Sequence, residues 1–185
     1  MQAIWMSKGP KLHTRNIAVA TYHYDEQRIV VEGVLRDDRY QAYHMISGET
    51  LPPGVIHHMS IRLLVNCSNL SIEDIDVELA SVPERECLET KGCLDSIKGL
   101  TITRGFTAKV KKLAGGRKGC THLMELLSVM APAAFQGLIA YRAQKPSAFD
   151  PERAKRVLKS LVDTCRTWTD DGPFVRRFRR LLDRG

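Results

Sequence analysis

Up to about residue 82, apolar residues alternate with polar ones; beyond Pro83 they recur every three to four residues. A period of two sends successive side chains to opposite faces of a strand, whereas a period of 3.6 gathers them on one stripe of a helix. Strands grouped first and helices grouped afterwards predict an α+β layer fold, with an antiparallel sheet packed against C-terminal helices, and not alternating βαβ units. The first strand is expected over 15–24, with Ile17, Val19 and Thr21 on one face and Ala18, Ala20 and Tyr22 on the other. The polar Asp25-Glu26-Gln27 turns the chain into a second strand over 28–36, where Ile29, Val31 and Leu35 oppose Val30, Glu32 and Val34. A second hairpin joins 55–66, with His57, Met59, Ile61, Leu63 and Val65 on one face, to 72–82, with Ile75, Val77 and Leu79 on one face. Between the hairpins, 37–54 holds Gly48 and Pro52-Pro53 and shows no steady period, so it reads as a long loop or excursion. Loops of that length often carry function. The sequence leaves open whether it is a lid or part of a subunit interface in a homo-oligomer.

In the second half a first helix is expected over 84–97, weakened by Gly92, and a short one over 103–113 that ends at Gly115-Gly116. The longest should run from about 120 to 144, bent at Pro132, which cannot donate to residue 128. Another is expected over 147–168 with Pro151 at an early position, followed by a basic helix after Asp170-Asp171-Gly172-Pro173. No repeat and no second domain is visible. The expectation is one domain over 1–185, large enough to bury a core without disulfide or metal staples.

Five cysteines without a CxxC pair argue against a disulfide framework and a zinc ribbon, and read as buried thiols. No apolar run of about 18 to 20 residues is seen, and 1–13 lacks the long apolar region of a secretory signal, so no membrane association and a cytoplasmic location are expected. The formal net charge of +7 calls for anionic partners: nucleic acid, phospholipid, or a small carboxylate or phosphate. The cations cluster at Arg176, Arg177, Arg179, Arg180 and Arg184, and at Lys109, Lys111, Lys112, Arg117 and Lys118, where solvated helix faces are the plain explanation.

The stretch Gly115-Gly116-Arg117-Lys118-Gly119-Cys120-Thr121-His122 is a glycine-rich basic turn that opens the longest helix. Exposed amides and two adjacent cations there suit an anion, while a flexible cap between two helices is the structural alternative. Along that helix Leu123, Met124, Leu126, Leu127 and Met130 form an apolar arc, and Thr121, His122, Glu125, Ser128 and Gln136 a polar stripe. Residues 126–141 carry no charge, so the stripe should face a pocket or an internal polar network. His122 and Glu125 are three residues apart and can touch, as an acid/base pair or as two metal ligands. Further ligands would have to come from His57, His58 or Cys120, which show no ligand spacing. His57 shares its face with Met59, Ile61 and Leu63, as a packed core histidine would. His58 and Arg62 lie on the other face, where a cross-strand charge pair with Asp74, Asp76 or Glu78 is the plain reading. His13, Arg15 and Tyr22 are further candidates for the same cavity, and Cys120 at the helix start is a candidate nucleophile without an assignable relay.

Leu12-His13-Thr14-Arg15, Ile56-His57-His58-Met59-Ser60-Ile61-Arg62-Leu63, Gly119-Cys120-Thr121-His122-Leu123 with Glu125-Leu126, Ala134-Phe135-Gln136, Cys165 and Asp171-Gly172 together resemble an uncharacterised bacterial family catalogued as domain of unknown function 2889. The chain departs from the expected family pattern at His58, where an acidic residue would stand. The resemblance implies a stand-alone bacterial domain associated with catabolism of aromatic, lignin-derived compounds. No dinucleotide or phosphate fingerprint is present, so no cofactor is expected. The resulting expectation is a cofactor-independent lyase or isomerase acting on an anionic aromatic small molecule of phenylpropanoid type, for which retro-aldol-type loss of formaldehyde is a fitting reaction. His122 oriented by Glu125 would move the proton, assisted by Tyr22 or His57. Arg15, Arg62 and Arg117, with His13, His58 and Gln136, would bind the substrate. The alternatives are a binding or accessory protein that turns its basic surface to nucleic acid or an acidic partner, and a metal-dependent enzyme built on His122, Glu125 and a strand histidine. Nucleic acid is disfavoured by the small number of aromatic residues and the lack of a recognisable binding motif.

Overall fold

The alternation in the first half is realised as four long antiparallel strands in a computed structural model of the chain, which describes residues 8–144 and 148–183. They are β1 (His13–His23), β2 (Arg28–Arg39), β5 (Gly54–Asn66) and β6 (Ile72–Ser81), ordered β1-β2-β5-β6. Between β2 and β5 the excursion forms a small ribbon of its own, β3 (Tyr43–His44) paired with β4 (Thr50–Leu51). The fold is therefore α+β as expected, with one correction to its strands. β2 does not stop at residue 36. Its inward positions Ile29, Val31, Gly33 and Leu35 are followed in the same alternation by Asp37, which is buried although charged. A carboxylate in an apolar series hides the continuation of a strand.

The second half contains α1 (Phe106–Ala114), α2 (Thr121–Arg142), α3 (Pro151–Leu161) and α4 (Pro173–Leu182). The helix expected over 84–97 is replaced by 3-10 turns at Arg85–Gly92 and Asp95–Ile97. The first of these turns buries no residue, so it lacks the packed stripe that supplies most helical stability in a protein. The helix expected over 147–168 is shorter: after Leu161 the chain reverses through Asp163 at φ 61° into a 3-10 turn at Arg166–Trp168. Ser147 and Arg184 lie outside the described residues.

The chain divides into two compact units, residues 1–144 and 145–185. In the first, α2 lies across β1 and β2 and runs antiparallel to β2, its end reaching the β1–β2 turn where the Tyr141 hydroxyl donates to the Glu26 carbonyl at 2.9 Å. Two glycines permit the close approach. A Cβ at Gly33 would lie 2.5 Å from Met130 Sδ, and one at Gly137 would lie 2.3 Å from Thr21 Oγ1. Val31, Ile61, Leu63, Leu123, Leu126 and Met130 fill the space between sheet and helix. By length and composition α2 suffices to cross a membrane, with a mean hydropathy of 1.5 over its apolar window, where the sequence reading expects no apolar run of that length; 39% of that window is buried, and the helix packs on β1 and β2. In the second unit, Asp150 caps α3 by accepting from the Arg153 amide at 3.0 Å, and Trp168 packs edge-on against Phe174 at 4.8 Å.

Candidate active site

Strand register creates the central feature of the first unit. Arg15 of β1 stands directly opposite Asp37 of β2, and Asp37 directly opposite His57 of β5, so three adjacent strands present one transverse row of titratable side chains. Next along β2, Asp38 pairs with Val55, which leaves Ile56 as an extra residue on β5. Bulges of this kind are common beside functional sites because they re-aim neighbouring side chains.

Asp37 is only 1% exposed, and its oxygens are fully engaged. Arg15 donates twice, from Nε to Oδ1 at 2.8 Å and from Nη2 to Oδ2 at 2.7 Å. His57 Nδ1 lies 2.8 Å from Oδ2, and His13 Nε2 approaches Oδ1 at 3.4 Å. The Arg15 guanidinium, helped by the His57 hydrogen bond, holds the Asp37 carboxyl down at about 2 against the opposing effect of burial. Asp37 is ionised throughout the physiological range, and its most economical pairing has His57 donating from Nδ1, which leaves His57 Nε2 free to accept a proton.

The start of α2 brings the second layer. His122 lays its ring on that of His57, with centroids 3.8 Å apart and planes tilted by 36°. Burial, followed by electrostatic repulsion from the His57 and Arg15 side chains, lowers the His122 pKa below its ordinary value, which favours the neutral ring at pH 7. Its Nδ1 is 3.8 Å from Cys120 Sγ. Glu125 accepts from Arg15 Nη1. The expected direct pairing of His122 with Glu125 is thus replaced by a longer path, Glu125–Arg15–Asp37–His57, because Arg15 is the stronger claimant on the carboxylate. Gly119 sets where α2 begins: a Cβ there would lie 2.3 Å from the Ala114 carbonyl oxygen and 2.9 Å from Cys93 Sγ. The basic turn before α2 therefore serves as a tight connector, and Lys118 Nζ donates to the Lys112 carbonyl at 3.1 Å at the end of α1.

The other expected site residues lie elsewhere. Arg62 is on the opposite sheet face, bound to Glu32 and Asp76 at 2.9 Å and to Glu78 at 3.4 Å, so the plain cross-strand reading describes it. His58 shares that face, paired with Arg36 and Ser81. Alternation places Tyr22 on the same outer face, and it is exposed. Gln136 is exposed on α2, 11 residues beyond Glu125, or about 16 Å along the axis at 1.5 Å per residue. Arg117 is exposed on the connector, and among the described residues no hydrogen bond or ion pair joins it to the row. Asp37, the hub of the arrangement, falls where the sequence reads as the start of a loop; the unbroken alternation from Ile29 is the signal that marks it.

Asp37, His57 and His122 each offer a donor atom within 4.8 Å of the other two, the residue types that hold a divalent transition metal. A surface depression of about 390 Å³ lies at the far end of the sheet, lined by Asp25, Glu26, Gln27, Arg28 and Glu73, where Arg28 and Asp25 bind each other. It contains no histidine or cysteine.

A family model described as "Protein of unknown function (DUF2889)" matches residues 13–136. No curated protein and no solved structure matches the chain.

Proposed function

The chain belongs to this family, whose matched span takes in every member of the Arg15–Asp37–His57–His122 cluster, and from the cluster's geometry we propose that the protein is a proton-transfer lyase acting on an anionic aromatic small molecule. One observation carries the reading: a buried, ionised carboxylate at 2.8 Å from Nδ1 of a histidine whose ring lies tilted against that of a second, neutral histidine. Carboxylate, imidazole and free Nε2 in series make a general base. In a retro-aldol-type cleavage, His57 Nε2 takes the proton of a substrate hydroxymethyl group. The oxygen's electron pair closes to C=O, the adjoining C–C bond breaks, and formaldehyde leaves. The bond pair remains on the substrate carbon, which takes the proton back from the His57 imidazolium. Neutral His122 can hydrogen-bond the reacting oxygen without repelling the charge that His57 gains. Arg15, itself bound by Glu125, holds Asp37 in place.

The test is a mass-spectrometric screen of hydroxymethyl-bearing aromatic carboxylates, with formaldehyde assayed in parallel, comparing the unmodified protein with His57→Ala and His122→Ala. Loss of formaldehyde that falls by about 100-fold or more in His57→Ala is expected, the usual contribution of a positioned base. Turnover unchanged in His57→Ala, or absent across the panel in well-folded protein, overturns the reading.

A second reading is favoured by the three convergent donors: a divalent metal held by Asp37, His57 and His122. Against it, Arg15 already occupies both oxygens of Asp37. Elemental analysis of purified protein separates the two, since a stoichiometric transition metal whose removal abolishes turnover would replace the metal-free mechanism.

A further inference from the structure

The proposed substrate is an anion, yet each arginine expected to receive it is either committed to carboxylates or lies outside the row. Arg15 is shared by Asp37 and Glu125, and Arg62 by three acids on the far face. Of the other arginines on the sheet, Arg28 pairs with Asp25 and Arg36 with Asp38. Arg39 differs. Among the described residues no carboxylate lies within 4.0 Å of it, its Nη2 donates only to the Pro52 carbonyl at 2.9 Å, and its Nε is buried without a partner. A guanidinium has five N–H donors in a fixed fork; Nε is closed to solvent, and among the described residues only one donor of Arg39 meets an acceptor, which requires an explanation.

Its position supplies one. Arg39 is two residues beyond Asp37 on β2, hence on the same sheet face, and its partner across the hairpin is His13, whose ring turns back to Asp37 at 3.4 Å. Two residues of strand separate the Arg39 row from the Asp37 row by about 7 Å. The guanidinium also lies over the ring of Tyr43 in the β3–β4 ribbon, 5.3 Å from its centroid, which orients the fork as a planar cation on an aromatic face.

We infer that Arg39, with His13 opposite it, is the seat of the substrate's carboxylate, one strand row from the Asp37–His57 base. The inference rests on the proposed lyase reading for its substrate class. The excursion after β2 accordingly contributes to binding through Tyr43 and the Pro52 carbonyl, which hold the arginine that receives the anion.

The experiment titrates the protein with trans-cinnamate and, separately, with neutral cinnamamide, following binding by calorimetry and by NMR shifts of the His13 and His57 rings. Unmodified protein, Arg39→Gln, Arg39→Lys and the distant control Arg62→Gln are compared, each checked for a native melting curve. Expected are saturable cinnamate binding, a loss of about 10-fold or more in Arg39→Gln, a partial loss in Arg39→Lys because a bidentate fork becomes a point charge, and no loss in Arg62→Gln. Cinnamamide should bind weakly and be indifferent to all three. No saturable cinnamate binding to the unmodified protein, or equal affinity in Arg39→Gln, overturns the seat. Arg39-dependent binding together with no turnover in the screen would leave the seat standing and remove the lyase reading. His57-dependent turnover whose KM ignores Arg39→Gln would do the reverse.

Discussion

Asp37 governs the candidate site at the level of single residues. It is a buried charge whose cost is met by three partners on neighbouring strands, so removing its charge should expose that cost. Asp37→Asn is expected to lower the unfolding free energy by roughly 2 to 4 kcal/mol, the range for breaking a buried, hydrogen-bonded charge pair that keeps one solvent-facing partner; urea unfolding measures it. The pH dependence has a definite sign. Because the folded-state value of about 2 lies below the ordinary carboxylate value, the stabilisation is fully present above pH 4 and is lost as pH falls through 2. It amounts to about 2 kcal/mol, so the gap between unmodified and Asp37→Asn protein should narrow by about that much over that interval. His122 carries the same sign higher on the scale: its depressed value favours the folded state above the ordinary histidine range and withdraws that support as pH falls below it. An NMR titration of the His122 ring should give a midpoint below 6.5; a midpoint at or above that value would show that the ring is not desolvated. Several of these residues are legible in the sequence. His13, Arg15, His57, His122 and Glu125 are polar types set in strand or helix patterns that bring them to one face. Asp37 and Arg39 are not, because a charge at an inward position looks like the end of a strand until its partners on other strands are known.

Among elements, α2 carries the site's second layer, and two glycines determine where it sits. Gly137→Ala should force Thr21 or the helix to move, at about 1 to 3 kcal/mol of stability for an overpacked contact. Since α2 also presents His122, the same variant should lower turnover with little change in KM, a combination that thermal melts and steady-state kinetics check together. The alternation in β1, β5 and β6 marks those strands to within two residues, because each has one face on the core and a period of two survives wherever that holds. The 3-10 turns at Arg85–Gly92 escape such reading for the opposite reason: they bury nothing, so no period is imposed on them. The bulge at Ile56 has no sequence mark either, since it arises only when β5 is paired with β2.

For the whole molecule, the net charge of +7 invites a reading as a polyanion binder. Much of that charge is locally answered: Arg15, Arg28, Arg36, Arg62, Lys98, Lys155 and Arg179 all pair with carboxylates. If small-molecule chemistry is the function, KM should change only a few-fold between 50 and 200 mM salt, whereas binding through six or more phosphate contacts would weaken by roughly 1,000-fold or more over the same range. The matched family span, 13–136, falls wholly within the first unit, which also contains the complete row and Arg39. The transverse row has one more consequence, for how the sheet finds its pairing. In the native register Arg15 meets Asp37; moved by two residues, which preserves the inward face, the hairpin would set Arg15 against Leu35 or against Arg39, and Asp37 against His13 or Ile17. The first sets Arg15 against an apolar residue and leaves Asp37 with His13 in place of the two-pronged guanidinium; the second sets Asp37 against an isoleucine and brings two cations together. The groups proposed to handle a proton thus also act as a proofreading mark for strand alignment, rejecting frames that the apolar residues alone would accept.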